Sequence, residues 1–418
     1  MQFALNAVLR RFITLGRLTV RWPDGSLAVY GGPPGSGPEA AMHITNAATT
    51  RRLLTNPAMA VGEAYMDGTL RPDGCTIYEL LDTLIVNLEA NGTRHPMAAL
   101  HQRLSVLLRR LSQYNPAPRA QRNVAHHYDL NGRLYSLFLD RDRQYSCAYF
   151  PRGDETLEEA QQAKKLHIAA KLKLDRPNLS VLDIGCGWGG LALTLARDFG
   201  ARVTGITLSR EQLSEARARA EAEGLTDRVR FELMDYRDLD HRFDRVVSVG
   251  MFEHVGVGYY QTFFDTLARV LAPDGVALLH AIGRSDPPGS TNPWITKYIF
   301  PGGYCPALSE VTAPIERSRL ITSDIEILRL HYAETLRHWR RRFAANRDTI
   351  AALYDERFCR MFEFYLCGSE LAFRRQAQMV FQIQLAHRID AVPLARDYIA
   401  EVERAGRRVG VPAGQAVK

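Results

Sequence analysis

VLDIGCGWGG, residues 181–190, reads as a short apolar strand running into a glycine-rich turn. Gly185, Gly187 and Gly190 match the spacing GxGxxG, and LALTLARDF at 191–199 follows as a helix. Glycines at such a turn let backbone approach a ligand closely, and the helix N-terminus offers unpaired N–H groups. The spacing alone suits several nucleotides. The next strand, ARVTGITLS at 201–209, ends in Thr207-Leu208-Ser209 with no acid. A dinucleotide fold usually places Asp or Glu there, on the ribose, so a nicotinamide dinucleotide is disfavoured.

Outward from the turn, strands and helices alternate. REQLSEARARAEAEGL (210–225) is a charged helix that stops at Gly224. VRFELMD (229–235), FDRVVSVGM (243–251) and GVALLHAIG (275–283) are strands, the last two separated by the helix YYQTFFDTLARVL (259–271). This alternation predicts an α/β fold: a parallel sheet with both faces covered and a ligand at the C-terminal strand ends. Asp183, inside the strand end, is arranged as in methyltransferases, where it helps to seat the methionine amino group of the donor. Asp235 and Tyr236 follow the third strand and are placed to bracket an adenine, the carboxylate accepting its exocyclic amine and the ring adding a stacking face. The duller reading of Asp235, a strand-end polar residue, fits its place in the sheet less well.

The flanks differ from this core. LTVRWPDGSLAVYGG (18–32) alternates around Pro23-Asp24-Gly25 as a hairpin, and PEAAMHIT (38–45) is a further strand. Helical periodicity runs from Thr50 to Tyr114, ending in MAALHQRLSVLLRRLSQY (97–114). The polar, proline-bearing NPAPRAQRN (115–123) is the expected linker. We therefore expect a small α+β domain at 1–114, the linker, and a larger α/β domain at 124–418. Beyond residue 285 the chain reads as mostly helical, with a basic aromatic stretch RHWRRRF at 337–343. Arg340, Arg341 and Arg342 there are expected to form a solvated helix face; a lipid-headgroup clamp is the rarer alternative.

A chain of 418 residues exceeds one ordinary core, which agrees with two domains. Six cysteines without a CxxC pair indicate neither a disulfide framework nor a zinc site, hence a reducing compartment and no metal. No apolar run is long enough to cross a bilayer. At the N-terminus Arg10 and Arg11 interrupt the apolar residues and no cleavage site follows, so an amphipathic helix fits better than a signal peptide. The net charge of +7 suits an anionic partner. With no nucleic-acid-binding module in view, lipid headgroups are favoured over nucleic acid.

Beyond these readings, the chain resembles the cyclopropane-fatty-acyl-phospholipid synthases and their mycolic-acid relatives. The matching segments run in the family's order: HYDLNGRLYSLFLD (127–140), QYSCAYF (144–150), VLDIGCGWGG, GITLSREQ (205–212), GMFEHVG (250–256), LLHAIG (278–283), WITKYIFPGG (294–303), HYAETLRHW (331–339) and MVFQIQL (379–385). The N-terminal region also looks like the small appended domain of the bacterial phospholipid enzymes, through its PDG turn and GEAYMDG segment. The resemblance implies a Rossmann-like class I methyltransferase domain with S-adenosylmethionine as donor. Tyr145 and Ser146 would touch the donor's methionine end, Gly185 and Gly187 would form its cradle, and Asp235 and Tyr236 would frame the adenine. Thr207, with Leu208 beside it, and Gln212 would hold the ribose and methionine region. In this family bicarbonate is the base; the positions holding it match Cys147, Glu253, His280, Ile282 through its backbone, and Tyr332.

The expected reaction is methylene transfer to a cis double bond of an unsaturated phospholipid acyl chain, through a carbocation that loses a proton to close a cyclopropane ring. Water must be kept from the cation. Aromatic faces can stabilise such a charge by roughly 1–2 kcal/mol each when desolvated, and YSCAYF and YIFP are where they are expected. Taken singly, Glu253 reads as a turn cap, His280 as a core histidine, Tyr332 as a helix-face aromatic and Cys147 as a small hydrophobe. In register with the family motifs, the functional reading prevails. The rivals are methyl- or methylene-branched products from the same fold, and a lipid-binding protein with a vestigial methyltransferase fold. The resemblance further implies a cytoplasmic homodimer, peripheral on the inner face of the membrane.

Overall fold

The computed structural model describes residues 1–91, 113 and 132–409. The expected linker lies outside these residues, as does the expected helix at 97–114 apart from Gln113. Helix α1 (Gln2–Phe12) buries Leu5 and Leu9, one turn apart, and carries Arg10 and Arg11 in its last turn. It is followed by β1 (Arg17–Arg21), β2 (Leu27–Gly31), β3 (Glu39–Ile44), α2 (Ala47–Thr55), α3 (Pro57–Met66), β4 (Leu70–Pro72) and α4 (Ile77–Asn91). The hairpin between β1 and β2 turns where the PDG signal places it: Asp24 Oδ1 accepts from the Ser26 N–H at 2.9 Å, and Gly25 takes φ +83°. The sheet order is β2-β1-β3-β4, with β1 and β3 parallel.

A second sheet follows α5 (Gly132–Phe138) and α6 (Leu157–Lys171). It comprises β5 (Ser180–Ile184), α7 (Gly190–Phe199), β6 (Arg202–Thr207), α8 (Arg210–Ala222), β7 (Val229–Leu233), β8 (Phe243–Val249), α9 (Tyr260–Val270) and β9 (Leu271–Arg284). Then come α10 (Pro293–Tyr298), α11 (Leu308–Arg317), β10 (Ile321–Ile327), α12 (His331–Ala345), α13 (Arg347–Leu353), α14 (Glu356–Arg375), β11 (Gln378–Ala386) and α15 (Asp397–Val409). The seven strands are ordered β10-β11-β9-β8-β5-β6-β7. From β5 the chain moves outward through β6 and β7, then returns to the other side with β8. This reversal opens a crevice at the carboxyl end of β5, where the glycine turn begins.

Two expectations change here. The sheet is mixed, because β11 runs antiparallel to both β9 and β10. The region beyond residue 285 is mostly helical, as expected, with β10 and β11 set among its helices. Eight of the nine residues of β11 are buried, so it lacks the alternation that marks a half-exposed strand. The arginine run is also no plain solvated face. Arg340 pairs with Glu370 at 2.9 Å and lies over the Tyr78 ring, while Arg342 grips Glu158 at 2.6 Å.

Helix α14 belongs to two cores at once. Phe362, Tyr365, Leu366 and Phe373 enter an aromatic core with Tyr135, Phe138 and Trp339. Cys367 and Leu371 enter the core of the N-terminal sheet. Among the described residues no helix is long and apolar enough to cross a membrane.

Candidate active site

One cleft lies over the carboxyl ends of β5 and β6, and all ten residues expected to touch the donor line it: Tyr145, Ser146, Asp183, Gly185, Gly187, Thr207, Leu208, Gln212, Asp235 and Tyr236. Gly185 adopts φ +83°, and a Cβ there would stand 2.8 Å from that of Met251. Gly187, at φ +55°, has open space where a side chain would be. Together they keep the floor of the cleft bare backbone. Thr207 Oγ1 donates to Gln212 Oε1 at 2.9 Å, which ties the end of β6 to the first turn of α8.

Asp183 is 2% exposed and its Oδ2 has no partner. Burial pushes its carboxyl up to about 7, against the pull of the Lys164 charge. A buried carboxylate oxygen left without a partner is costly unless a ligand completes it, and a cationic amine would do so. Asp235 departs from expectation in detail. Its carboxylate accepts from Arg237 Nε at 2.8 Å and Nη2 at 2.6 Å, so in this structure it faces a guanidinium. That guanidinium sits 5.5 Å from the Tyr236 ring and 5.6 Å from the Tyr259 ring.

The five residues expected around the base are not among those that line the cleft. Glu253 follows β8 in a short 3₁₀ turn. Its Oε1 accepts from the Ile282 N–H at 2.6 Å, which is a partner on β9 and not the local turn that a capping role would use. Its Oε2 is buried without a partner, and burial pushes the carboxyl up to about 7. His254, the next residue, lines the donor cleft. His280 stands two residues before Ile282 on β9. It is held well below the usual histidine range by burial and by the charges of Lys164 and Lys171, and is therefore neutral. The Gln382 amide of β11 lies 3.1 Å from its Nδ1.

Cys147, Tyr332 and Ile282 meet in the aromatic core together with Tyr145. Tyr145 stacks on Trp339 at 5.1 Å and shares a 2.9 Å hydroxyl contact with Tyr365. Tyr332 packs edge-on to Trp339 at 5.8 Å and against Phe373 at 4.9 Å. Cys147 is 1% exposed and its thiol donates to the Ala148 carbonyl; burial pushes the thiol up, against a hydrogen bond with Thr335. Rings of both singled-out segments join this core: Tyr145, Tyr149 and Phe150 from YSCAYF, Tyr298 and Phe300 from YIFP.

Sequence reasoning missed Lys164, Gln161, His254 and Gln382. The first two sit in QQAKKLH on α6, a polar string that reads as a solvated helix face, yet Gln161, Lys164, Lys165 and His167 are all buried. Gln161, Lys164 and Lys165 pair with the 142–146 segment, and His167 with Glu326 and Glu403; such pairing leaves no periodic trace.

Comparison with known proteins agrees with this geometry. Residues 116–383 match the family model of the mycolic acid cyclopropane synthetases, and residues 4–92 match that of a domain of unknown function. The cyclopropane-fatty-acyl-phospholipid synthase of Escherichia coli strain K12 is 39% identical over 356 residues, 85% of this chain and 90% of that one. The tuberculostearic acid methyltransferase of Mycobacterium tuberculosis is 35% identical over 395 residues, 90% of this chain and 89% of that one. Among solved structures, a mycolic acid cyclopropane synthase complexed with SAH and CTAB aligns with a TM-score of 0.60 at 33% identity, covering 65% of this chain and 99% of that one.

Proposed function

The chain belongs to the mycolic acid cyclopropane synthetase family, and from that premise we propose how it works as an S-adenosylmethionine-dependent cyclopropane-fatty-acyl-phospholipid synthase. The supporting observation is the adjacency of Glu253 and His254: Glu253 is buried with Oε2 left without a partner, while the next residue lines the donor cleft. A methyl group held in that cleft would lie near the aromatic core, since Tyr145 both lines the cleft and packs in that core.

Asp183, Ser146 and Tyr145 hold the methionine end of S-adenosylmethionine, Gly185 and Gly187 its backbone cradle, Thr207, Leu208 and Gln212 the ribose region, and Asp235 and Tyr236 the adenine. When bound it supplies an electrophilic methyl. Transfer of that methyl to the acyl double bond would break its bond to sulfur and release S-adenosylhomocysteine, and the positive charge left on the chain would have to lose a proton for the ring to close. Tyr145, Trp339 and Tyr332 exclude water and offer ring faces to the charge. Bicarbonate, when bound, would supply the base; Glu253 Oε2, His280, the Tyr332 hydroxyl and Cys147 are the groups to hold it, while the expected Ile282 N–H is taken by Glu253 Oε1 in this structure. The carboxyl of Glu253, poised near neutrality, holds a proton at Oε2 or yields it.

The enzyme works on phospholipid from the cytoplasmic face of the membrane as a homodimer, with the N-terminal unit facing lipid or partner. That unit exposes Phe3, Val8, Leu27 and Val29, and the net charge of +7 favours an anionic surface. A second reading, a methyl-branched acyl product, is favoured by the similarity to the tuberculostearic acid methyltransferase.

Vesicles of cis-unsaturated phospholipid, incubated with protein and S-adenosylmethionine, decide between these readings. Mass spectrometry of the released fatty esters is expected to show one added methylene-equivalent per reacted chain, in a product that resists hydrogenation. A product with a methyl branch supports the second reading. Unchanged acyl chains alongside methylated small amines overturn both.

A further inference from the structure

The amino-acid end of the donor cleft rests on a buried cation. Lys164 on α6 is 1% exposed. Its Nζ donates to Gln144 Oε1 at 2.6 Å and to Ser146 Oγ at 2.9 Å. Neither acceptor is an anion. Asp140 and Asp142 attract the ammonium through space, while Lys165 repels it. Keeping an ammonium this dry is costly, and a position needed only for packing would take Leu or Met.

The polarity of these contacts runs one way. An ammonium has three donors and no acceptor. Ser146 Oγ therefore accepts from Lys164, and its own O–H is left to donate elsewhere. Gln144 Oε1 accepts in the same manner, which turns its amide nitrogen to Asp142 Oδ2 at 3.1 Å. Gln161, one turn earlier on α6, fixes the backbone of the same segment by donating to the carbonyls of Gln144 and Ser146 at 3.2 and 3.0 Å. Ser146 and Gln144 line the cleft, as does Asp183 with its unpartnered Oδ2. Lys164 stands behind them.

We propose that Lys164 is a positioning residue that makes the cleft selective for an α-amino-acid end: it compels the Ser146 hydroxyl to donate toward a carboxylate, opposite an Asp183 carboxylate that takes an ammonium. The two ends of a zwitterion are thereby read by groups of opposite character. The inference rests on the donor reading above.

Calorimetric titration of the full chain with two probes tests it. S-adenosylhomocysteine carries the amino acid; 5′-methylthioadenosine keeps the nucleoside and sulfur without it. For Lys164→Met, affinity for S-adenosylhomocysteine is expected to fall tenfold or more, with affinity for 5′-methylthioadenosine within twofold of wild type. Ser146→Ala behaves alike, and the double variant is no weaker than the worse single one, since both remove one interaction. Equal losses for both probes mark a merely structural lysine and overturn the proposal, as do additive losses or an undiminished S-adenosylhomocysteine affinity. Wild-type protein that binds neither probe removes the donor reading and this inference with it. Wild type and Lys164→Met binding both probes alike leaves the donor reading standing and sinks the inference alone.

Discussion

At the scale of single residues, the site works with carboxyls that burial has made reluctant to ionise. Glu253 is raised from its ordinary 4.5 to about 7. A group raised on folding contributes stability that is fully present below its unfolded value and lost as pH climbs through the folded one. Above pH 7 the ionised Glu253 is thus a burden on the ligand-free fold, about 3 kcal/mol at most from a shift of this size. Glu253→Gln removes that burden along with the proton site. It is expected to melt no lower than wild type at pH 8, to bind S-adenosylhomocysteine within twofold, and to lose at least about 100-fold in turnover. Undiminished turnover removes Glu253 from the reaction. The carboxylate was legible in the sequence through its family motif; that it bonds across to Ile282 was not, because β8 and β9 pair through a crossover.

At the scale of elements, the glycine turn and the strand ends explain why the donor residues could be read so fully. Parallel strands deliver their carboxyl ends to one edge, so residues after β5, β6 and β7 must converge however far apart they are in the chain. Helix α6 offered no such rule, since a buried Lys and an exposed Lys look alike in a helical pattern. Strand β11 hid for the opposite reason, being apolar on both faces. The turn itself makes a two-part prediction. Gly185→Ala combines a left-handed backbone with a Cβ 2.8 Å from Met251, so thermal melting should report a loss of about 2–4 kcal/mol together with lost donor binding. Gly187→Ala meets nothing within 4 Å and should cost about 1 kcal/mol of stability, yet still weaken S-adenosylhomocysteine because its methyl enters the cleft. Normal binding by the Gly187 variant shows that bare backbone is not what the ligand needs there.

At the scale of the whole molecule, α14 makes the N-terminal and catalytic cores partners in stability. Leu371 is fully buried among N-terminal residues though it lies on a C-terminal helix. Leu371→Ala should cost about 2–5 kcal/mol and lower a single, common urea transition followed by both near-ultraviolet dichroism and N-terminal tryptophan emission from Trp22. An N-terminal unit that unfolds separately and unperturbed shows that the two cores are independent. This sharing was not legible beforehand: sequence periodicity shows that a helix has an apolar stripe, not that two stripes serve different neighbours. The strand order carries a last consequence, for how the protein is made. Because β11 slots between β10 and β9, the ribosome delivers the keystone of the large sheet after all six of its other strands. Until residues 378–386 emerge, the flank of β9 is an open seam of unpaired amides beside Leu279 and Ala281, so a nascent chain stalled short of that point is a sticky half-product that chaperones must shield.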